Sequence, residues 1–150
     1  MVAALGSLEI LVRLYAKLVL PREVWDELQA GGQESKEVKA VRAQTGLEVR
    51  VEGVAIHDRL SRALDLGEAA VIQTALDHGI DRVVLDERLG RKVAAASGLK
   101  VTGTLGILVR AKKEAMIPAI TPCLKKMMEA GIRISGPLAQ AALQEAGEIG

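Results

Sequence analysis

Apolar residues along this chain alternate between two rhythms. Short runs read as buried strands, and stripes spaced three or four apart read as helices. Ser7 is placed to cap a first helix whose inward face is Leu8, Leu11, Val12 and Leu14. Leu18-Val19-Leu20 reads as a short buried strand stopped by Pro21, which suits the first turn of a helix from Pro21 to Gln29. Gly31-Gly32 ends that helix. Residues 33–44 predict a polar, surface-exposed helix, broken at Gly46 before a period-two strand from Leu47 to Val51. Residues 53–65 have no clear period. Beyond them the rhythm sharpens into a helix from Gly67 to His78, a strand at 82–85, a helix from Arg88 to Ser97, a strand at 99–102 and a helix from Leu105 to about Ala115. Thr121-Pro122 opens a further helix that Gly131 closes, and Ser135 caps a last one at 137–146. This alternation predicts an α/β fold, a parallel sheet with helices on both faces.

Composition narrows the picture. The 150 residues match one domain, and 49% of them are hydrophobic, enough for a sizeable core. Phe is absent, and there is one Trp and one Tyr, so the core must be aliphatic. Binding single strands mainly by stacking bases on rings is disfavoured for the same reason. A net charge of +1 argues against a generally basic coat, though local patches remain open. Cys123 is the lone cysteine, which excludes an intrachain disulfide and a Cys-based metal cage. A reducing cytoplasm is the expected setting. No apolar run reaches the ~18–20 residues of a membrane span. Met1 to Leu20 is interrupted by Glu9, Arg13 and Lys17 and does not read as a signal peptide.

The chemistry concentrates at 66–104. A helix and the strand that follows it run antiparallel, so Glu68, near its helix start, and Asp86, just past its strand, share the carboxyl edge of the sheet. Right-handed connections bring Thr102-Gly103-Thr104 to the same edge, where ligands of open α/β sheets bind. Carboxylates gathered there suit a hard cation such as Mg²⁺ or Mn²⁺. Such an ion activates water and stabilises charge on a phosphodiester. Structural readings stand beside each of these. Glu68 is favoured by the helix dipole alone, Asp86 can cap the helix after it, and Glu87 can be a first-turn acid. Taken together at one edge, the functional reading is the better one. Arg91 and Lys92 are weaker candidates for phosphate contact, and Lys112-Lys113 and Lys125-Lys126 read as solvated charge. His78, at a helix end, and His57 are not expected to act in catalysis, and Cys123 has no evident His partner. No dinucleotide fingerprint or phosphate-binding P-loop is present.

At these residues the chain resembles the PIN-like domain superfamily, in particular a prokaryotic branch of unknown function. The resemblance is carried by Leu18 to Pro21 with Val24 to Leu28, by Leu66-Gly67-Glu68-Ala69-Ala70, by Leu85 to Arg88 with Gly90-Arg91, and by Val101 to Gly106. Ala111-Lys112-Lys113 and Ile117-Pro118 also fit. It spans nearly the whole chain, so residues 1–150 are expected to form one PIN-like, three-layer α/β domain. The resemblance implies a metal-dependent endoribonuclease, in many such proteins the toxin of a toxin–antitoxin pair. It would use Mg²⁺ or Mn²⁺, act on RNA, bind an antitoxin-like protein and form a homodimer. It makes Glu68 and Asp86 metal-site carboxylates, with Glu87 and Thr104 as lesser members. The family also opens with a central strand ending in Asp, and Met1 to Gly6 looks instead like the family's first helix already under way. The expectation is a domain lacking its first strand, and so an incomplete site. Either the natural protein carries that strand upstream, which is favoured, or the sheet has a true gap. The alternative function is a non-catalytic module that binds an antitoxin-like partner or itself.

Overall fold

The computed structural model describes residues 8–129 and 131–150. The predicted cap at Ser7, the helical reading of Met1 to Gly6 and the inward side chain of Leu8 lie outside the described residues. The chain runs α1 (Leu8–Tyr15), β1 (Leu18–Leu20), α2 (Arg22–Ala30), α3 (Lys36–Ala43), β2 (Leu47–Val49), α4 (Asp58–Ala63), α5 (Leu66–Asp77), β3 (Arg82–Val84), α6 (Arg88–Ala96), β4 (Lys100–Thr102), α7 (Thr104–Lys113), α8 (Thr121–Glu129) and α9 (Gly136–Glu145). This is the expected mixed α/β fold with short parallel strands.

The strands form two pairs rather than one sheet. β1 lies parallel to β2, with Leu18 opposite Leu47 and Leu20 opposite Val49. β3 lies parallel to β4, with Arg82 opposite Lys100 and Val84 opposite Thr102. Among the described residues no strand bridges the pairs. Side-chain packing joins them instead: Leu18 and Leu20 of β1 and Val84 of β3 belong to one cluster built around Leu11, Val41 and Ile107. A second cluster, under α5 and α6, centres on Ile72, Val83 and Ala94. A third holds α7, α8 and α9 together through Leu108, Ile120 and Met127.

Local chemistry explains most boundaries. Pro21 leads into α2 with extended backbone, and Ser35 caps α3 by accepting from the Val38 N–H. Gly79 (φ 64°) and Gly98 (φ 86°) take the left-handed conformation that turns α5 into β3 and α6 into β4. Three expectations need correction. The helix at 33–44 is shorter and not wholly surface-exposed, because Val38 and Val41 bury one face of α3. The strand from Leu47 stops at Val49: Val51 is 80% exposed and has no face to bury. The region 53–65, left without an element, contains α4, which has a single buried residue, Leu60.

Candidate functional site

Asp65 caps α5 by accepting from the Glu68 N–H at 2.9 Å, which places Glu68 in the first helical turn. The Glu68 carboxylate then leans across to α6. A Cβ on Gly90 would come within 2.5 Å of its Oε2, so the absence of a side chain there makes room for the acid. That Oε2 is buried and has no hydrogen-bond partner among the described residues. Burial pushes the Glu68 carboxyl up to about 7, helped by its hydrogen bond to the Asp65 carboxyl and by the charges of Asp65 and Glu87. The Asp65 backbone N–H opposes part of that rise. An acid so placed gains from an added positive charge.

Asp86 follows β3 and faces the start of α7. Its Oδ1 accepts from the Thr104 N–H at 2.8 Å and its Oδ2 from the Thr104 hydroxyl at 2.7 Å. Thr104 itself is only 2% exposed. Asp86 therefore does not cap the helix that follows it. It compensates the positive end of α7 and is aligned there. A Cβ on Gly103 would meet Asp86 Oδ1 at 3.2 Å and Arg91 Nη1 at 2.9 Å, so this glycine gives both side chains space. Glu87 occupies the cap position of α6 without a side-chain cap bond, and its charge is felt at Glu68.

Glu27 carries no expectation from the sequence, yet it lies at this edge. Its carboxylate oxygens stand 2.8 and 2.9 Å from where a Cβ of Gly67 would be, beside Glu68. One signal was available: Glu27 sits in the last turn of α2, which has no basic residue there, although a helix C-terminus disfavours an acid. Three glycines, Gly67, Gly90 and Gly103, thus make room for three carboxylates. Arg91 belongs with this group, whereas Lys92 is exposed on α6 and does not line the cavity that Asp86, Glu87, Arg91 and Thr104 share.

Several of the other residues singled out in the sequence have structural roles. His57 Nδ1 caps α4 by accepting from the Arg59 N–H at 3.2 Å, and His78 closes α5. Lys112 pairs with Glu148 at 3.2 Å and Lys113 with Glu145 at 3.5 Å. Cys123 packs against the cluster of α7, α8 and α9.

Among the described residues no three His, Cys, Asp or Glu side chains converge closely enough to hold a metal ion by themselves. The donors at this edge are all carboxylate oxygens, one of them buried and unpartnered, which fits a hard divalent ion that keeps several waters.

A family profile described as a PIN domain matches residues 1–148. The chain belongs to the PIN-domain family. No curated protein and no solved structure matches it. PIN domains have a nuclease-type fold, generally use divalent metals, and commonly act on RNA and in toxin–antitoxin pairs. No described helix of this PIN domain is long and apolar enough to cross a membrane.

Proposed function

We propose that this PIN domain hydrolyses phosphodiester bonds of RNA as a cytoplasmic endoribonuclease of the toxin type. Mg²⁺ or Mn²⁺ would be held by Glu68 and Asp86, with Glu87 and Glu27 alongside. The observation that carries this reading is the buried, unpartnered Glu68 Oε2 in the cradle of Gly90. The bound ion would supply a water of lowered pKa and charge stabilisation at the phosphoryl oxygens. Thr104 fixes the orientation of Asp86 through two hydrogen bonds. Arg91, beside Asp86 at Gly103, would meet a phosphate oxygen. The Glu68 Oε2 itself is shielded from bulk water.

The same reading treats residues 1–150 as one domain, to which the family's Asp-ending first strand would add a further acid. RNA cleavage with Mn²⁺ tests it, comparing this chain with a version extended upstream. Metal-dependent cleavage by the extended protein, abolished by Asp86→Asn, is the expected result; its absence ends the nuclease reading.

A second reading is a non-catalytic module that binds an antitoxin-like protein or a second copy of itself. It is favoured by the commitment of both Asp86 oxygens to Thr104 and by the lack of a converged acidic triad among the described residues. Calorimetry separates the two. No Mn²⁺ uptake, with partner binding intact in Asp86→Asn, selects the module.

A further inference from the structure

A cavity of about 710 Å³ runs from Asp86, Glu87 and Thr104 along α7 towards α9. Its volume falls within the range of pockets that hold ligands. Four arginines line it: Arg82, Arg91, Arg110 and Arg133. Part of its wall is apolar, supplied by Leu105, Val109, Met127 and Ile132. The acids facing it are Asp86 and Glu87, which belong to the candidate site, and Glu145, already paired with Lys113 at 3.5 Å.

Two of these arginines are held by an unusual arrangement. The guanidinium carbons of Arg82 and Arg110 stand 5.6 and 4.9 Å from the centroid of one ring, that of Tyr15, which also lines the cavity. Arg82 is further fixed by donating from Nη1 to the Thr102 hydroxyl at 2.8 Å. Tyr15 and Thr102 are neutral, so they orient the Arg82 charge without cancelling it. Among the described residues Arg82, Arg91 and Arg133 make no ion pair, and Arg110 has only an exposed contact to Glu114 at 3.9 Å. Two cations gathered around one ring concentrate positive charge on this wall of the cavity, which favours an anion with several oxygens. A guanidinium fork matches phosphate oxygens bidentately, and a ring beneath it preorganises the fork.

We propose that Arg82 and Arg110, positioned by Tyr15, bind phosphodiester oxygens of single-stranded RNA, and that the strand follows this cavity to Asp86 and Glu87. The inference rests on the ribonuclease reading and gives its substrate a path. The apolar wall of the cavity offers surface to base faces without ring stacking. Tyr15 is a positioning residue, not a contact to the reacting atoms. Arg91 and Arg133 extend the same phosphate track.

The test uses the full chain in EDTA, with a short fluorescent oligouridylate as probe, binding followed by anisotropy across a salt series. Arg82→Ala and Arg110→Ala should each weaken binding about tenfold. Each should also reduce the slope of log K against log salt by about 0.7, the value for one phosphate contact on a single strand. Tyr15→Phe keeps the ring and should bind as wild type. Tyr15→Leu should lose affinity with the slope unchanged, because both charges remain. Thermal melts check folding, and the arginine variants, Arg110 being an exposed residue, keep the test decisive should Tyr15→Leu fail to fold. Unchanged affinity and slope in the double arginine variant would overturn the clamp, as would tighter binding of polyglutamate than of oligouridylate. Failure of the parent reading looks different. Arginine-dependent binding with no cleavage under any metal leaves the clamp and removes the nuclease. Cleavage that is indifferent to both arginines does the reverse.

Discussion

Replacing Gly90 with Ala separates folding from function at one atom. The added Cβ would lie 2.5 Å from Glu68 Oε2, too close for any side chain, so the carboxylate must leave its position. It can leave cheaply, being the end of a flexible chain with no hydrogen bond at that oxygen. Against this small cost stands the gain of placing Ala rather than Gly within α6, about 0.5–1 kcal/mol. Gly90→Ala should therefore be neutral to slightly stabilising, with Tm raised by about 1–3 °C for a chain of this size. If Glu68 is a ligand at this edge, Mn²⁺ affinity should fall by about tenfold or more, since a displaced hard ligand is lost outright. Differential scanning calorimetry and Mn²⁺ titration on the same preparation give both quantities. A Tm loss of many degrees would show that Glu68 cannot yield. Unchanged Mn²⁺ binding would remove Glu68 from the site altogether.

Other consequences follow from named groups. The Glu68 carboxyl sits near 7 when folded against 4.5 as a free side chain, so its proton stabilises the fold below pH 4.5 and that contribution is lost as pH rises through 7. In metal-free buffer Glu68→Gln should match wild type below pH 4.5 and exceed it above pH 7. The excess should be about 1–2 kcal/mol once solvent screening is allowed for, read by urea melts across pH. Glu148 behaves oppositely. The Thr121 hydroxyl, with the N–H groups of Ile120 and Thr121 and the Lys112 ammonium, holds it down to about 2. Its stabilisation is complete above pH 4.5 and lost as pH falls through 2, so Glu148→Gln should melt earlier than wild type near neutrality and converge with it in acid. Ile107→Ala, at a fully buried position shared with Leu11 and Val41, should cost about 2–5 kcal/mol in denaturant unfolding.

How far the sequence revealed this molecule depends on whether the signal was local. Pro21, Gly79 and Gly98 act within a turn of their own position, and the elements they delimit appear where the pattern put them. α4 was invisible because one buried leucine in six residues leaves no periodicity to find. Tertiary packing decided α3, whose valines look isolated in a polar stretch until they bury against neighbours. At the site, Glu68, Asp86 and Thr104 were legible because αβ topology alone places them on one edge. Glu27 was not, because its place beside Gly67 depends on how α2 packs on α5, a contact between segments forty residues apart in sequence. Spacing likewise could not show that Tyr15, Arg82 and Arg110 meet.

Hydrogen-bonded ladders are directional, whereas the apolar driving force is not. The two strand pairs share no ladder among the described residues, so their mutual angle is set by helices, chiefly α2 on α5 and α1 on α7. Glu27 travels with one pair, and Glu68 and Asp86 travel with the other. The distance between these acids is thus a mechanical variable, adjustable by anything that rolls α2 over Gly67. Backbone amides of β1–β2 and β3–β4 should accordingly exchange with deuterium as two separate opening units, and a ligand gripping all three acids would fuse them into one.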